Sequence, residues 1–282
     1  MDAAGDVVSA MVAQSVSSGY IEIHYAAALV YERGGSVSAW LATSEGASYI
    51  PLGVRVPHDV RLSVTDPVVG RELWEKSAAA GGANPLEIVV RQAEARDMAS
   101  PGGRVLAGAS SLPMDQVIDW AGEVGARPVS VDPKAIAAAP DAGVMHRCAV
   151  AMPWEWRQAN AFSEQERFRV ASRHMYMAVS AGLLSGSGAC EQVMEQFELR
   201  QPIDDALWRD VDRARFMSLI EYEMAMRSAG QGGAEPARAL AAARAAEVVL
   251  CLRNYSTAEG CADLLYASRL AGAPLNPAAA VA

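Results

Sequence analysis

Lysine is nearly missing from this chain: of 282 residues only Lys76 and Lys134 are lysines, and every other basic side chain is an arginine. A phosphate-binding P-loop needs a lysine directly after its glycines. Pro101-Gly102-Gly103-Arg104 and Gly108-Ala109-Ser110-Ser111 share only composition with such loops, and they read as glycine-rich turns flanking a strand. Cysteine is also scarce. Cys148, Cys190, Cys251 and Cys261 contain no Cys-x-x-Cys pair, which excludes a disulfide scaffold and leaves four reduced, buried thiols as the expectation. An excess of basic charge is absent as well, since the formal net charge is −9. Residues 1–147 hold 17 acidic and 11 basic side chains, and the remainder 16 and 13, so neither half is a concealed basic module for nucleic acid. Finally, no apolar run reaches the roughly 18–20 residues that span a membrane. The first residues, MDAAGDVVSAMVAQSV, are acidic and lack the basic start of a secretory signal. A soluble, cytoplasmic protein outside the general secretory route is expected, with export by a specialised route left open.

What is present is apolar material: 51% of the residues are hydrophobic, enough for one large core or two ordinary ones. Val7–Val16 reads as a short helix. Tyr20–Tyr31 and Ser36–Ala42 read as strands joined by Glu32-Arg33-Gly34-Gly35, and Tyr49–Val56 and Val60–Val64 continue as extended segments. Together they imply an antiparallel meander. Asp66-Pro67 and Asn84-Pro85 each start a helix, the second with Leu86, Val89, Val90 and Ala93 as its inner face. Arg104–Gly108 and Arg127–Val131 are short strands on either side of a helix over Pro113–Gly122.

Asp132–Asp141 is alanine- and proline-rich without a period, as in a linker. Beyond it the pattern is helical. Ser163-Glu164-Gln165-Glu166 is a capping box, followed by an inner face of Phe168, Ala171, Met175, Val179 and Leu183. Ser185–Gly188 and Gly230–Gly233 are breaks. Ile203, Leu207, Val211, Ala214, Met217, Ile220 and Met224 recur at helical spacing, and two alanine-rich helices follow over Glu235–Tyr255 and Thr257–Leu270. The fold class is therefore α+β: a mixed α/β domain over 1–132, a junction over 133–156 and an alanine-rich helical domain over 157–282.

No GxSxG, P-loop, GxGxxG, HExxH or DxDxDG motif occurs. His146 and Cys148 offer two ligand types without a partner pair at zinc spacing. A Cys148–His174 nucleophile pair stays open beside the plainer reading of structural residues. Asp204-Asp205 and Glu191 with Glu195 read as solvated helix surface. Trp154-Glu155-Trp156, taken as extended, places both indoles on one side. They either pin the two halves together or expose an anchor for a partner.

Trp40-Leu41-Ala42-Thr43 followed by Tyr49-Ile50-Pro51-Leu52-Gly53-Val54-Arg55-Val56-Pro57 resembles the C-terminal region of EspK-type proteins, which are associated with mycobacterial type VII (ESX) secretion. Their pattern is a tryptophan-bearing strand, a threonine, then an aromatic-Ile-Pro segment with a glycine, a valine and a second proline. The order of a mixed α/β part and an alanine-rich helical part is similar too. Their N-terminal region and long proline-rich linker have no counterpart here, so a C-terminal fragment or a shorter relative is expected. Trp120-Ala121-Gly122 and Tyr255-Ser256-Thr257-Ala258-Glu259 match the letters of a type VII substrate signal but fall in different domains, and they read as coincidence.

The resemblance implies a non-catalytic chaperone or adaptor, without cofactor or metal, that binds a secreted EspB-like protein and delivers it to the secretion ATPase. Pro51 and Pro57 lack amide donors, which places their segment at a sheet edge open to an added strand. Tyr49, Ile50, Trp154 and Trp156 are the candidate partner-binding residues. The alternatives are an enzyme of unrecognised type using Cys148, His146 or His174, and an interaction module unrelated to secretion.

Overall fold

The computed structural model describes residues 3–20, 23–32, 35–45, 48–80, 84–99, 104–131, 143–180, 188–229 and 234–271. The chain divides into two compact units, Met1–Ala151 and Met152–Ala282. The first is mixed α and β and the second is helical, as the sequence pattern implies. The expected junction is shared out between them. Its last strand and a short helix belong to the first unit, and the tryptophan segment belongs to the second. Residues 132–142, and with them most of the linker, lie outside the described residues. So do Arg33, Gly34, Gly46, residues 101–103, 181–187 and 230–233, on which several of the expected turns fall. Among the described residues no helix is long and apolar enough to cross a membrane.

The first unit is built on a five-stranded sheet whose strands lie in the order Val60–Leu62 (β4), Val37–Thr43 (β2), Tyr25–Tyr31 (β1), Arg104–Ser110 (β5) and Arg127–Ser130 (β6). β1 (Tyr25–Tyr31) lies at the centre, antiparallel to β2 (Val37–Thr43) and to β5 (Arg104–Ser110). Its residues Tyr25–Ala28 are buried at consecutive positions, the mark of a strand covered on both faces. The cover comes from α1 (Ala3–Ser17) and α3 (Pro85–Ala99), both of which pack on β1. α4 (Met114–Val124) packs on β5 and on the edge strand β6 (Arg127–Ser130). The helix starts follow local chemistry. Asn84 Oδ1 accepts the Leu86 amide at 3.0 Å, and Asp66 Oδ1 accepts those of Val68 and Val69 ahead of α2 (Gly70–Ala80). Leu86, Val89, Val90 and Ala93 are all buried, as their spacing implies.

The meander does not extend past the β1–β2 hairpin. β3 (Arg55–Pro57) leaves the sheet and pairs with β7 (Val144–His146) in a separate two-stranded ribbon. β4 (Val60–Leu62) then returns beside β2 in the parallel sense, and β6 is likewise parallel to β5. The chain leaves the sheet because side chains satisfy the backbone that a neighbouring strand would otherwise serve. Arg147, fully buried on α5 (Arg147–Ala151), donates from Nη1 to the Ile50 carbonyl at 2.9 Å. The Gln14 carboxamide acts as a one-residue strand for Arg55: its Nε2 donates to the Arg55 carbonyl at 2.9 Å and its Oε1 accepts the Arg55 amide at 2.8 Å. Gly53, at φ +86°, supplies the turn between them.

Beside the hairpin lies a partly buried polar chain. Trp40 Nε1 donates to Ser38 Oγ at 2.9 Å, and Ser38 Oγ donates to Glu32 at 2.6 Å. Arg96 bridges Glu32 at 2.6 Å and Asp66 at 3.0 Å, with its guanidinium carbon 5.0 Å from the Trp40 ring centre. Gln92 Nε2 completes the set on Asp66 at 2.8 Å. This chain backs a cleft of about 350 Å3.

The second unit contains α6 (Pro153–Ala161), α7 (Glu164–Ser180), α8 (Gly188–Glu198), α9 (Asp205–Ala229), α10 (Ala234–Cys251) and α11 (Ala258–Leu270). The capping box forms: Glu166 accepts the Ser163 amide at 2.7 Å, and Ser163 Oγ accepts the Glu166 amide at 3.3 Å. α11 is the innermost helix, buried from Gly260 to Cys261 and Ala262 and again from Leu264 to Ser268. Gly260 lets it abut the preceding turn, since a Cβ there would lie 1.9 Å from the Asn254 carbonyl oxygen. On α9 the buried stripe passes through Trp208, Val211, Arg215, Leu219, Tyr222 and Ala225, while Met217 and Met224 are exposed. The expected face is thus rotated. Arg215, which reads as polar, turns inward with its charge held by Asp212 at 2.7 Å, and this lets the apolar row one step round face outward.

Candidate functional site

Tyr49 and Ile50 are both fully buried, and Tyr49 Oη lies 2.6 Å from Tyr20 Oη. Neither presents surface to a partner. The edge expected beside them is also occupied, because Gln14 takes both backbone groups of Arg55 and β7 takes the other side of β3. The prolines do mark a break in the sheet, but the core closes over it. Trp154 and Trp156 lie on α6, which Pro153 opens at its first position. Two residues apart on a helix they point in different directions. Trp154 is exposed with the Arg157 guanidinium 5.4 Å from its ring centre, and Trp156 is half-buried. They form no joint anchor.

The candidate catalytic residues are divided between the two units. Cys148 is buried in the first unit, where its amide donates to His146 Nδ1 at 3.1 Å. His174 is buried on α7 of the second unit. Cys261 is buried too, and burial pushes its thiol up to about 11, so it stays protonated at neutral pH. Asp204 caps α9 by accepting the Ala206 amide at 2.9 Å, and Asp205 pairs with Arg253 at 2.7 Å. Glu191 and Glu195 are exposed on α8. Among the described residues no group of three or more histidine, cysteine or acidic side chains is placed to hold a metal ion.

His174 has a thermodynamic consequence. Its Nδ1 has no hydrogen-bond partner among the described residues. Burial, with a smaller contribution from Arg173, lowers its pKa from 6.5 to about 4. The folded unit therefore keeps the ring neutral while the unfolded chain protonates it. Stability is complete above the unfolded value and is lost as pH falls from about 6.5 towards 4. The expected loss across that window is about 3 kcal/mol. Urea unfolding at a series of pH values checks this: the wild-type curve should slope, and His174→Leu should flatten it. A wild-type stability unchanged between neutrality and pH 4.5 would show that the ring is not held neutral.

A groove of about 860 Å3 lies in the second unit, where the start of α7, the end of α8, the start of α9 and the turn at 252–255 meet. Its wall is a three-ring cluster. Phe168 and Phe197 stack at 5.3 Å, and Tyr255 meets them edge-on at 6.0 and 5.1 Å. Trp208 and Leu252 close the floor and are buried, whereas Phe168, Tyr255 and Ile203 stay half-exposed at the opening.

Arg200 stands at this opening with its guanidinium carbon 4.4 Å from the Phe168 ring centre. Its place follows from how α8 ends. The Arg200 amide donates to the Phe197 carbonyl and the Gln201 amide to the Gln196 carbonyl, at 3.1 and 2.8 Å, which is the Schellman pattern with Arg200 at the left-handed position. That position ordinarily holds glycine, yet Arg200 adopts φ +53°. Left-handed backbone costs a side-chain-bearing residue about 1–2 kcal/mol, and an exposed cation–π contact returns about 0.5–1 kcal/mol. Stability alone therefore favours glycine here. The other cations near the opening are committed: Arg253 to Asp205, and Arg167 Nη1 to the Ser256 carbonyl at 2.7 Å. Arg200 has neither a side-chain hydrogen bond nor an ion pair among the described residues. The groove thus offers an apolar wall for a large side chain and one uncommitted guanidinium beside it.

Phe168 is legible in the sequence as part of the α7 inner face, whereas Arg200 carries no periodic or motif signal. What marks it is a helix that stops before Pro202 with no glycine in Glu198-Leu199-Arg200-Gln201.

No known family profile matches the chain, and no curated protein is similar to it. Among solved structures, a fragment of the conserved hypothetical protein Rv3899c from Mycobacterium tuberculosis is similar at a TM-score of 0.45 and 12% identity, over 94% of this chain and 92% of that one.

Proposed function

We propose that this chain is a non-catalytic adaptor or chaperone that binds a segment of a secreted, EspB-like protein and presents it to a type VII secretion ATPase. The aromatic groove of the second unit carries the binding part of this reading. Its size suits a peptide side chain or two, and its aromatic residues and arginine are the types that dominate binding energy at protein interfaces. The secretion part comes from the EspK-type resemblance around Tyr49–Pro57. Since Tyr49 and Ile50 are buried, that segment serves as a core element in this reading, and the contact with a partner moves to the groove.

The test is calorimetric titration of the purified chain with a purified EspB-like substrate. Saturable binding is expected, and Phe168→Ala or Tyr255→Ala should weaken it by about tenfold or more, the ordinary loss for an interface anchor. Absence of binding overturns the secretion assignment, and equal binding by wild type and both variants removes the groove from it.

A further inference from the structure

We propose that the groove selects a peptide segment carrying a large apolar side chain with a single carboxylate close to it in sequence, and that Arg200 is the residue that reads the carboxylate. This rests on the groove being the binding surface proposed above. The apolar half of the specificity lies in the wall, where Phe168, Phe197 and Tyr255 sit ring against ring above the buried Trp208 and Leu252. Such a wall accepts an aromatic or branched aliphatic side chain against its ring faces.

The charged half rests on what the guanidiniums are already doing. Arg253 and Arg167 are taken by Asp205 and by the Ser256 carbonyl. Among the described residues the Arg200 side chain is paired with the face of Phe168 alone, a contact that uses its charge and leaves its N–H donors unspent. A guanidinium with free donors beside an apolar wall is suited to bidentate recognition of a carboxylate. Placing the carboxylate next to the wall also lowers the local dielectric around the pair, which strengthens it relative to open solvent. Glu164 supplies the lining with an uncommitted carboxylate of its own, which penalises a run of acids. One carboxylate, not an acidic stretch, is therefore the expected feature. The backbone adds a second observation: the left-handed position suits glycine better than arginine, so the helix end itself gives no reason for this side chain.

The experiment is selection from a phage-displayed library of random 12-residue peptides on the full chain, with Phe168→Ala as the counter-selection. Enriched sequences are expected to share an aromatic or aliphatic residue followed within a few positions by one Asp or Glu. On Arg200→Gly the apolar preference should persist and the acidic preference vanish, while the melting temperature stays level or rises. On Arg200→Glu the preference should pass to Lys or Arg. The best peptide, synthesised with its acid replaced by the amide, should lose about tenfold in affinity for wild type and almost nothing for Arg200→Gly. Apolar enrichment without any charge preference overturns the role of Arg200 and leaves the groove standing. No enrichment overturns both. Self-association of the chain that Phe168→Ala abolishes identifies the occupant as a second copy and overturns the peptide assignment.

Discussion

Gly108→Ala is expected to destabilise the sheet unit by about 3 kcal/mol, at the upper end of the cost of overpacking a core. A Cβ at this position would lie 1.6 Å from Cη2 and 1.7 Å from Cζ3 of Trp120. No rotation of a methyl group relieves an overlap of that size. Either the indole moves or α4 lifts away from β5. Trp120 is 5% exposed and its Nε1 has no hydrogen-bond partner among the described residues, so a buried polar atom is already tolerated here in exchange for close ring-on-backbone packing. For a unit of this size the melting temperature should fall by roughly 6–12 °C. Trp120→Leu will be destabilising alone, because it leaves a cavity. Combined with Gly108→Ala it should cost less than the two separate losses added together, since the shorter side chain leaves room for the methyl group. Thermal melts followed by circular dichroism of the four proteins measure the coupling. Simple additivity would mean that the ring does not cover Gly108.

Asp66→Ala should cost about 2–4 kcal/mol, from the loss of a helix cap together with a buried donor left unpaired. The Asp66 side chain is fully buried and accepts from Gln92, Arg96 and the amides of Val68 and Val69. Its loss leaves Arg96 with Glu32 alone, strips the cap ahead of α2 and abandons the amide of Gln92, whose Oε1 is already without a partner. Asp66→Asn should cost less, because it keeps the shape and one acceptor oxygen. The pH dependence runs in a different window from that of His174. Burial pushes the Asp66 carboxyl up, but the hydrogen bonds from Gln92, Val68, Arg96 and Val69 outweigh it and hold it below its ordinary 3.8. The Ser38 hydrogen bond and Arg96 likewise hold Glu32 below 4.5. Both groups stabilise the fold above those ordinary values, and the contribution is lost as pH falls further. Urea titrations at pH 7 and pH 3 should show the wild type and Asp66→Ala converging in acid. A constant gap between them would exclude ionised Asp66 as the source.

The parts of the structure legible in the sequence are those whose cause lies within a few residues. Asn84, Asp66 and the Ser163–Glu166 box each announce a helix because the capping atoms and the amides they serve are two or three positions apart. The inner face of α3 is legible for the same reason. The exit of the chain from the sheet after Thr43 is not. It depends on Arg147 reaching the carbonyl of Ile50 and on Gln14 reaching both backbone groups of Arg55, contacts between residues remote in sequence. Two prolines signalled an edge, and nothing local said that the edge was already filled. On α9 the apolar residues form two neighbouring rows, so periodicity alone left the register open. A buried Arg215, paired one turn back with Asp212, decided it. The groove combines a legible element, Phe168 on its helix, with one that depends on conformation, the left-handed Arg200.

The central place of β1 has a consequence for the order of assembly. Leu29 faces Ala39 across one side and Ala107 across the other. The first pairing is available as soon as the hairpin exists. The second requires a long loop to close, with its entropy lost before the contact rewards it. In the helical unit α9 packs on α10, α10 on α11 and α8 on α9, each a neighbour in sequence, while α11 also packs on the remote α6 and α7. While the ribosome is still adding α2 and α3, the apolar run Tyr25–Ala28 waits with one edge unpaired. This is the interval in which the nascent chain is most exposed to misassociation.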